Sequence, residues 1–379
     1  MYLEQLHLTR FRNYFNCSVA FEAQTIILLG NNAQGKSNLL EAVELLATLK
    51  SHRTSKDQDL IFQNEAIAQI EAVVKRLYRE NTLTLTLRQK GRRTVALDRE
   101  KLRRQTDFLG ALNAVQFSSL DLDLVRGSPD KRRNWIDALL IQIEPIYAYI
   151  LQEYNRVLRQ RNALLKTIRK SLYEVSESNQ VDNSTWEQLA LWDAQLAANG
   201  SRVMRRRARV LERLTPIAQK WHNQISDHTE QLNLIYTANV TWSEDDPQQV
   251  QQAILDRIKL RQAAEQNLGT TVVGPHRDEV EFNINETPAR SYGSQGQQRT
   301  LVLALKLAEL ELIETVVGEP PLLLLDDVLA ELDLQRQNQL LSAIANRFQT
   351  IITTTHLNSF DQQWLKSSQV LTVDNGSLS

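Results

Sequence analysis

Cysteine is almost absent from this 379-residue chain, which contains only Cys17. A single cysteine cannot form a disulfide within the chain, and it cannot supply the several thiolates of a cysteine-based metal site. The count is consistent with a reducing compartment. We therefore expect Cys17 to be a small buried residue without a chemical role.

Long apolar runs are absent too. No uninterrupted run approaches the roughly 20 apolar residues that a membrane-spanning helix needs. The first ten residues include Glu4, His7 and Arg10, whereas a secretory signal has a continuous hydrophobic region. The sequence therefore predicts a globular protein of the cytoplasm that has no membrane partner.

The chain also has little net charge, since 44 basic and 45 acidic residues give a net charge of -1. This balance alone argues against nucleic acid as a partner. The charges are unevenly distributed, however, because basic residues cluster at 126–133, 156–170 and 202–213, while acids gather elsewhere, for example at 244–246. A locally positive surface can bind phosphates even on a nearly neutral protein.

Strand patterns are present at both ends of the chain. Leu83, Leu85 and Leu87 alternate with polar residues, and 89–93 has the composition of a hairpin turn. Strand character returns at 232–241 and 280–284. The apolar runs 321–325 and 350–354 are typical of parallel strands buried on both faces. Together with a helical pattern at 300–317, these runs predict an α/β fold.

The middle of the chain has helical spacing instead. Apolar residues recur at intervals of three and four from 151 to 172, interrupted by Arg161, and again from 189 to 210 after a polar break at 176–184. This spacing is typical of a coiled-coil seam. Two such helices would pair antiparallel as a hairpin, although two amphipathic helices of an ordinary bundle fit the pattern equally well.

The strongest local signal is a P-loop, which fits its consensus without a mismatch at residues 30–37. An apolar strand precedes it at 25–29 and a helix-compatible run follows at 38–49, so backbone N–H groups can face an anion. We expect Lys36 to reach the β and γ phosphates of ATP and the Ser37 hydroxyl to ligate Mg²⁺. The predicted nucleotide contacts are Gly30, Asn31, Asn32, Ala33, Gln34, Gly35, Lys36, Ser37 and Asn38.

An acidic pair follows the apolar strand at 322–325. A pair of acids after a strand is commonly a helix cap or a solvated turn, but a P-loop enzyme needs an acid at the end of a second buried strand. We expect Asp326 to hold Mg²⁺ through its water shell and Asp327 to polarise the attacking water.

Three further segments narrow the class of P-loop protein. A serine-glycine-glutamine segment at 294–298 lies before the acidic strand, Asp333 lies in a short loop after it, and His356 follows the last apolar strand. This order resembles the ABC ATPase superfamily. The resemblance implies that Ser294, Gly296 and Gln297 cover the γ-phosphate bound by a second subunit.

The same resemblance implies roles for other residues at the nucleotide. Asp333 belongs to the loop beside the nucleotide, and His356 contacts the γ-phosphate or orients the water. Gln116 is the candidate for the glutamine that senses Mg²⁺ and the γ-phosphate. Arg12 approaches the nucleotide by analogy with SMC-like heads.

Within the superfamily, the chain resembles the RecF family most closely, through motifs at 8–14, 51–54, 127–133, 274–278 and 324–333. The resemblance implies an α/β fold: an ABC-type P-loop ATPase head (lobe I, a mixed sheet with flanking helices) with an inserted, mainly α-helical lobe II that carries a short antiparallel helical hairpin. We expect the first part of lobe I at 1–110, lobe II at 111–267 and the second part of lobe I at 268–379.

The resemblance implies a function in recombinational repair, replication restart and the SOS response. RecF proteins bind ATP and Mg²⁺, form an ATP-dependent homodimer that clamps double-stranded DNA at single-strand gaps, and work with RecR, RecO and RecA. Asp327 stands where most ABC ATPases have glutamate, and the shorter side chain predicts slow hydrolysis. The resemblance implies that this hydrolysis depends on DNA.

Basic residues provide candidate DNA contacts. The alternative to DNA binding is that these residues form a solvated helical face with local ion pairs. For any single arginine, this alternative is the better interpretation. We see no base-reading motif, so binding should be guided by shape and sensitive to salt. The predicted contacts are Arg53, Lys131, Arg132, Arg133, Arg205, Arg206 and Arg207.

Three rival functions remain open. A transporter subunit or another SMC-like ATPase would have transmembrane partners or a far longer coil. A scaffold that binds ATP only for structure is disfavoured by the presence of Lys36, Asp326 and Asp327. A metal-dependent nuclease is disfavoured because the six histidines and the acids form no recognisable ligand cluster.

Overall fold

A computed structural model describes residues 1–173, 182–329, 332–345, 347–357, 360 and 362–379. The strands are β1 (Tyr2–Phe11), β2 (Tyr14–Ala20), β3 (Thr25–Leu29), β4 (Ile67–Lys75), β5 (Glu80–Arg88), β6 (Thr94–Leu97), β7 (Glu100–Lys101), β8 (Ala114–Ser118), β9 (Leu232–Thr237), β10 (Glu279–Ile284), β11 (Thr287–Pro288), β12 (Leu322–Asp326), β13 (Thr350–Thr354), β14 (Ser368–Asp374) and β15 (Ser377–Leu378). The helices are α1 (Lys36–Thr48), α2 (Asp123–Arg126), α3 (Pro129–Ile143), α4 (Ile146–Tyr173), α5 (Asn183–Ile225), α6 (Pro247–Leu268), α7 (Ala289–Tyr292), α8 (Gln295–Val317), α9 (Leu334–Ile344) and α10 (Gln362–Lys366).

The first sheet is antiparallel and has the strand order β2-β1-β4-β5-β6-β7. Its strands alternate as the sequence predicts, since Leu83, Leu85 and Leu87 on β5 are fully buried while their neighbours are partly exposed. The predicted hairpin turn at 89–93 is confirmed, because β5 and β6 pair antiparallel on either side of it. This sheet packs its apolar face against α1 and forms one wall of lobe I.

The second sheet has the order β15-β14-β3-β13-β12-β8, and it is parallel from β14 to β8. The two apolar runs predicted as buried parallel strands are β12 and β13, and both predictions are confirmed. Because the strands are parallel, the carboxyl ends of β3, β8, β12 and β13 lie at one edge of the sheet. Chemistry in open α/β sheets gathers at this edge.

The predicted helical hairpin is confirmed by the pairing of α4 with α5. Ile168 clusters with Leu189, and Tyr154 lies beside Gly200. Residue numbers thus rise along α4 as they fall along α5, so the two helices are antiparallel. Of the predicted polar break at 176–184, residues 176–181 lie outside the described part of the chain.

Arg161, which interrupts the apolar seam, is 1% exposed in the hairpin. Its guanidinium donates to Asp193 at 2.6 Å on α5, to Glu265 at 2.6 Å on α6 and to the Thr271 hydroxyl at 2.8 Å. A buried charge is tolerated only with such complete pairing. The residue therefore fastens α6 and the following loop to the hairpin.

Sheet pairing crosses both domain borders expected from the sequence. Strand β8, placed in lobe II by the border at 110/111, pairs with β12 in the central sheet of lobe I. Strand β9 pairs with β10 across the border at 267/268. The helices α2 to α5 lie between β8 and β9 in the chain, and α6 lies between β9 and β10. The division into lobes stays a prediction, and its borders do not follow the sheets.

Candidate nucleotide site

The P-loop connects β3 to α1 at the carboxyl edge of the central sheet. Lys36 begins α1, and its ammonium donates to the carbonyls of Gly30 at 2.7 Å and Asn31 at 3.0 Å. The lysine thereby closes the loop on itself while the amide groups at the start of α1 point outward from the helix. A closed loop at a helix N-terminus is a site for an anion.

Glycine is required at two positions of the loop by close contacts. A Cβ built on Gly30 would lie 2.4 Å from the Val373 carbonyl oxygen, so no side chain fits there. Gly35 has φ 119°, a left-handed conformation that side chains rarely adopt, and its Cβ would lie 2.7 Å from Asn13. The consensus glycines are therefore explained by packing as well as by the approach of a phosphate.

Residues that sequence reasoning missed hold the loop from outside. Asn13 donates to the Gln34 carbonyl at 2.8 Å, and the Tyr14 hydroxyl donates to the Gly35 carbonyl at 3.0 Å. On the other side, the Asn375 backbone N–H donates to the Gln34 side chain at 2.7 Å. The turns β1–β2 and β14–β15 thus brace the loop. The RecF-like segment at 8–14 was the available signal for the first of these turns.

The magnesium candidates meet at the centre of the edge. The Ser37 hydroxyl donates to Asp326 at 2.7 Å, although the two residues are 289 positions apart in sequence. Thr353, at the end of β13, also donates to Asp326 at 2.9 Å. A serine hydroxyl and a carboxylate are oxygen ligands of the kind that Mg²⁺ prefers. Asp327 follows with φ 54° and an exposed side chain.

Gln116 lies on β8, where it is paired with Leu324 of the neighbouring strand β12. Its side-chain oxygen is buried without a hydrogen-bond partner among the described residues. A buried oxygen without a partner is costly unless an ion, a water or a ligand satisfies it. This orphan oxygen fits the predicted role in Mg²⁺ sensing, as do the oxygen donors of Ser37 and Asp326.

His52 connects Gln116 to α1. One ring nitrogen of His52 lies 2.7 Å from Glu44, and the other lies 3.4 Å from the Gln116 amide nitrogen. Burial lowers the pKa of His52, but the hydrogen bond and charge of Glu44 outweigh it, so the pKa of His52 is raised above its ordinary value. His52 falls in the RecF-like segment at 51–54, but the sequence predicted no role for it at this site.

Arg12 and Arg53 were predicted for different ligands, but the structure brings them together. Both bind Glu41, which is fully buried on α1: Arg12 through two bonds of 2.7 and 2.8 Å, and Arg53 at 3.3 Å. Arg53 also donates to the Asn38 side chain at 2.6 Å. The candidate DNA contact Arg53 therefore lies at the nucleotide site.

His356 is exposed just beyond β13. Its backbone N–H donates to the Thr354 hydroxyl at 3.2 Å, and that hydroxyl donates to the His356 carbonyl at 2.8 Å. These two bonds fix the backbone and leave the imidazole at the surface of the same sheet edge as Asp326.

The segment that starts α8 has its own geometry. Ser294 is the N-cap of α8, and its hydroxyl accepts a hydrogen bond from the Gln297 backbone N–H. In turn, the Ser294 backbone N–H donates to the Gln297 side-chain oxygen. Within the described residues, no hydrogen bond or ion pair joins Ser294, Gly296 or Gln297 to the P-loop. Ser294 is exposed, so the capped end of α8 is open to solvent.

Asp333 lies near the same helix end. It caps α9 and pairs with Arg336, which donates to Thr300 on α8 at 2.9 Å. A Cβ on Gly296 would lie 3.6 Å from Arg336. Arg336 thus links the serine segment to the aspartate loop, a link that sequence reasoning missed. The preceding Ala330 and Glu331 lie outside the described residues.

Two predicted DNA contacts are wrong. Arg132 and Arg207 are only 4% and 3% exposed. Arg132 donates both arms of its guanidinium to Glu279 at 2.8 Å, and Arg207 does the same to Asp137 at 2.8 Å. Removing Arg207 from its carboxylate to bind a phosphate would leave the buried Asp137 without a partner charge.

The other predicted DNA contacts lie nearer the surface. Besides Arg53, which contacts Glu41, three of them have acidic partners: Arg205 pairs with Asp245 at 2.5 Å, Arg206 with Glu144 at 2.9 Å, and the exposed Lys131 with Asp123 at 3.7 Å. Their charge is therefore largely compensated. Arg133 differs, because its guanidinium donates to the Asp278 backbone carbonyl at 2.7 Å.

The remaining expectations concern metals, membranes and Cys17. No cluster of three or more possible metal-ligating side chains occurs in the described ranges, and none of the described helices is long and apolar enough to span a membrane. Cys17 is buried as expected, and burial raises the pKa of its thiol to about 11.

Comparison with known proteins agrees with this geometry. The family model described as "RecF/RecN/SMC N terminal domain" matches residues 2–378. A protein of Gloeothece citriformis named DNA replication and repair protein RecF is 67% identical over 382 residues, which cover 100% of this chain and 99% of the relative. A RecF of Rippkaea orientalis is 66% identical over 378 residues, with the same coverage.

Solved structures agree as well. The recombination mediator protein RecF, solved with ATP and described as part of the RecFOR pathway, is 31% identical, with a TM-score of 0.89 and coverage of 100% of this chain and 97% of that chain. The Smc head domain of Pyrococcus furiosus is 17% identical, with a TM-score of 0.52 and coverage of 100% and 95%, and shares the fold. The predicted ABC-type α/β head is confirmed, and the chain belongs to the RecF family of DNA replication and repair proteins.

Proposed function

We propose that this protein binds and slowly hydrolyses ATP with Mg²⁺, and that ATP joins two copies into a clamp on DNA. The observation that carries the proposal is the 2.7 Å contact between Ser37, on the P-loop helix, and Asp326, at the end of β12. Two oxygen donors from distant parts of the chain converge there beside an anion-binding loop. That combination is the chemistry of a nucleoside triphosphate with its metal.

In this proposal the residues from Gly30 to Asn38 bind the phosphates, and Lys36 exchanges its two carbonyl partners for the β and γ phosphates. Ser37, Asp326 and Gln116 would hold Mg²⁺ directly or through water. Mg²⁺ would neutralise the charge of the phosphates during transfer. Arg12, fixed by Glu41, lies beside this site and would contact the nucleotide.

Hydrolysis would be slow because of the group that positions water. Asp327 is exposed at the sheet edge, as a carboxylate that polarises water must be. Its side chain is one methylene shorter than the glutamate of most ABC ATPases, so it places the water less well. His356 would contact the γ-phosphate or orient that water. A turnover rate typical of transporter ATPases would contradict this part of the proposal.

A second copy of the chain would complete the site. The capped end at Ser294 has no bond to the P-loop of its own chain among the described residues, so it is free to cover the γ-phosphate of a partner. Gly296, Gln297 and Asp333 would approach the same phosphate. ATP then acts as a switch, because it binds the dimer better than the monomer.

The DNA and protein partners follow from family membership. The solved RecF is described as a recombination mediator of the RecFOR pathway. We propose that this chain likewise binds double-stranded DNA at single-strand gaps, works with RecR and RecO, and helps RecA load.

The experiment is light scattering with ATP, with ADP, and with ATP plus a gapped DNA. We expect wild type to dimerise with ATP and to remain monomeric with ADP. Lys36→Met should abolish the dimer because the triphosphate loses its lysine. If wild type stays monomeric under all three conditions, the clamp is excluded and the nucleotide is a structural ligand.

A matched pair of variants tests the partner contact without weakening α8. Ser294→Asn and Ser294→Asp both keep a good N-cap, but only aspartate places a negative charge against the partner's γ-phosphate. We expect Ser294→Asp to lose the ATP-dependent dimer and Ser294→Asn to retain it. Equal dimerisation by both variants would show that Ser294 does not face the nucleotide of another subunit.

A further inference from the structure

A second group of cations shares only Arg133 with the DNA contacts predicted from the sequence. Arg133, Lys166, Arg169 and Arg277 form no ion pair with a carboxylate within the described residues, and all but the half-buried Arg133 are exposed. We call these four residues the basic track. All four lie beside one segment of chain, residues 268–278, which joins α6 to β10.

The four residues lie along this segment from one end to the other. At its start, Arg169 lies 3.5 Å from the Leu268 carbonyl oxygen, and Lys166 packs its backbone against Gly269. Arg277 donates back to the Thr271 carbonyl at 3.3 Å.

At the other end of the segment, Arg133 donates to the Asp278 carbonyl at 2.7 Å. Arg133, Arg169 and Arg277 therefore each use one of five N–H donors, and the acceptor is a neutral backbone carbonyl.

The segment beneath the track is held rigidly. Asp278 is fully buried and accepts from the Asn239 backbone N–H at 2.8 Å and from the Tyr236 hydroxyl. Arg207 donates to the Pro275 carbonyl at 2.6 Å. Because the backbone of this segment is already fixed, binding a ligand to the cations beside it costs little backbone ordering entropy.

The local charge is positive on the outer face. Asp278 is the only acid in residues 268–278, and its side chain is buried. The nearest following acid, Glu279, is held by Arg132 in two bonds. Burial, with a smaller contribution from the charges of Arg277 and Arg133, lowers the pKa of His276 to about 4, so the positive field reaches the half-buried imidazole.

We propose that the basic track binds the phosphodiester backbone of double-stranded DNA. The inference rests on the DNA binding proposed above, and it names the surface. Guanidinium groups with free N–H donors suit phosphate oxygens, which accept several bonds at once. A duplex fits better than an acidic peptide because the cations form a row along one segment, as phosphates do along a strand.

The test is the salt dependence of binding to a labelled double-stranded oligonucleotide, with ATP present and the full chain. Each lost phosphate contact reduces the slope of log Kobs against log salt by about 0.9. We expect Arg277→Gln and Arg169→Gln each to reduce the slope by about this amount. The double variant should reduce it by about 1.8, twice the single effect. Arg277→Lys should largely restore it, since the charge returns.

Matched controls come from the paired arginines. Arg209→Gln on α5 and Arg156→Gln on α4 remove the same charge where a carboxylate already compensates it, so the slope should stay at the wild-type value. If wild type binds DNA but the track variants keep the wild-type salt slope, the basic track is not the DNA surface, and the proposed DNA binding is unaffected. If wild type itself fails to bind DNA, the DNA part of the proposed function fails with it.

Discussion

The nucleotide edge and the helical lobe differ in how far their sequences reveal their geometry. At the edge, residues predicted one by one from their order in the chain meet in space, as Ser37 and Asp326 do. In the helical lobe, residues that are adjacent in sequence contact different parts of the protein. Arg205, Arg206 and Arg207 pair with Asp245, Glu144 and Asp137 respectively.

The difference has a geometric cause. Parallel strands all end at one edge, so a residue just after any buried strand arrives at the same place. Consecutive residues on a helix point about 100° apart, so three adjacent arginines cannot share one surface. A cluster of charge in sequence is therefore a cluster in space only where the helix periodicity allows it. The predictions below test this comparison.

The largest effect is expected at the buried end of the lobe. Arg207→Leu leaves the carboxylate of Asp137 buried without its guanidinium, and we expect the free energy of unfolding to fall by about 3–5 kcal/mol. Urea denaturation measures it. Arg205 lies on a different face of α5. Arg205→Leu removes a surface ion pair and should lower the free energy of unfolding by about 0–1 kcal/mol. Equal losses for the two variants would contradict the burial argument.

At the nucleotide edge, Lys36→Met should reduce ATP hydrolysis on the order of 10²- to 10³-fold, because a preorganised charge at the phosphates is lost. Phosphate release at saturating ATP gives the rate. Lys50→Met, which removes an exposed lysine just beyond α1, serves as the control and should leave the rate unchanged. A small effect of Lys36→Met would argue for a structural nucleotide.

We expect His276 to make the stability of the protein sensitive to acid. Its pKa is lowered to about 4 in the folded protein, first by burial, against 6.5 in the unfolded chain. Between these values the unfolded state binds the extra proton, so stability is intact above pH 6.5 and falls as the pH decreases towards 4. At about 1.4 kcal/mol per pKa unit, the loss amounts to about 3 kcal/mol.

The measurement for His276 is the free energy of unfolding at several pH values, for wild type and His276→Gln. Glutamine does not titrate, so the difference between the two proteins should change across this window and level off outside it. Parallel curves would show that His276 has an ordinary pKa.

The smallest effect is expected for the surface pair of Arg206 and Glu144, which are 25% and 39% exposed. A double-mutant cycle with Arg206→Gln and Glu144→Gln should give a coupling energy of about 0–1 kcal/mol. A coupling energy of about 3–5 kcal/mol, the size of the loss expected for Arg207→Leu, would mean that the surface and buried arginines do not differ.

Sequence reasoning located several central strands and the long helices, and it placed the P-loop between a strand and a helix as the structure does. The strands β5, β12 and β13, the helix α8 and the α4–α5 hairpin lie where their patterns predict. It missed residues whose roles depend on distant neighbours, such as Asn13, which donates to the P-loop from a turn of another sheet. It also missed Arg336, whose link between two loops has no local signature.

What the sequence by itself determined is the set of elements and their chemistry, because periodicity and the P-loop consensus depend on residues that are neighbours in the chain. Only the tertiary structure decided which cations are free. Arg132 and Arg133 are adjacent, yet the first is buried against Glu279 and the second is left with a backbone carbonyl. The free energy of a charge depends on its burial and its partner, and both are set by residues far away in sequence.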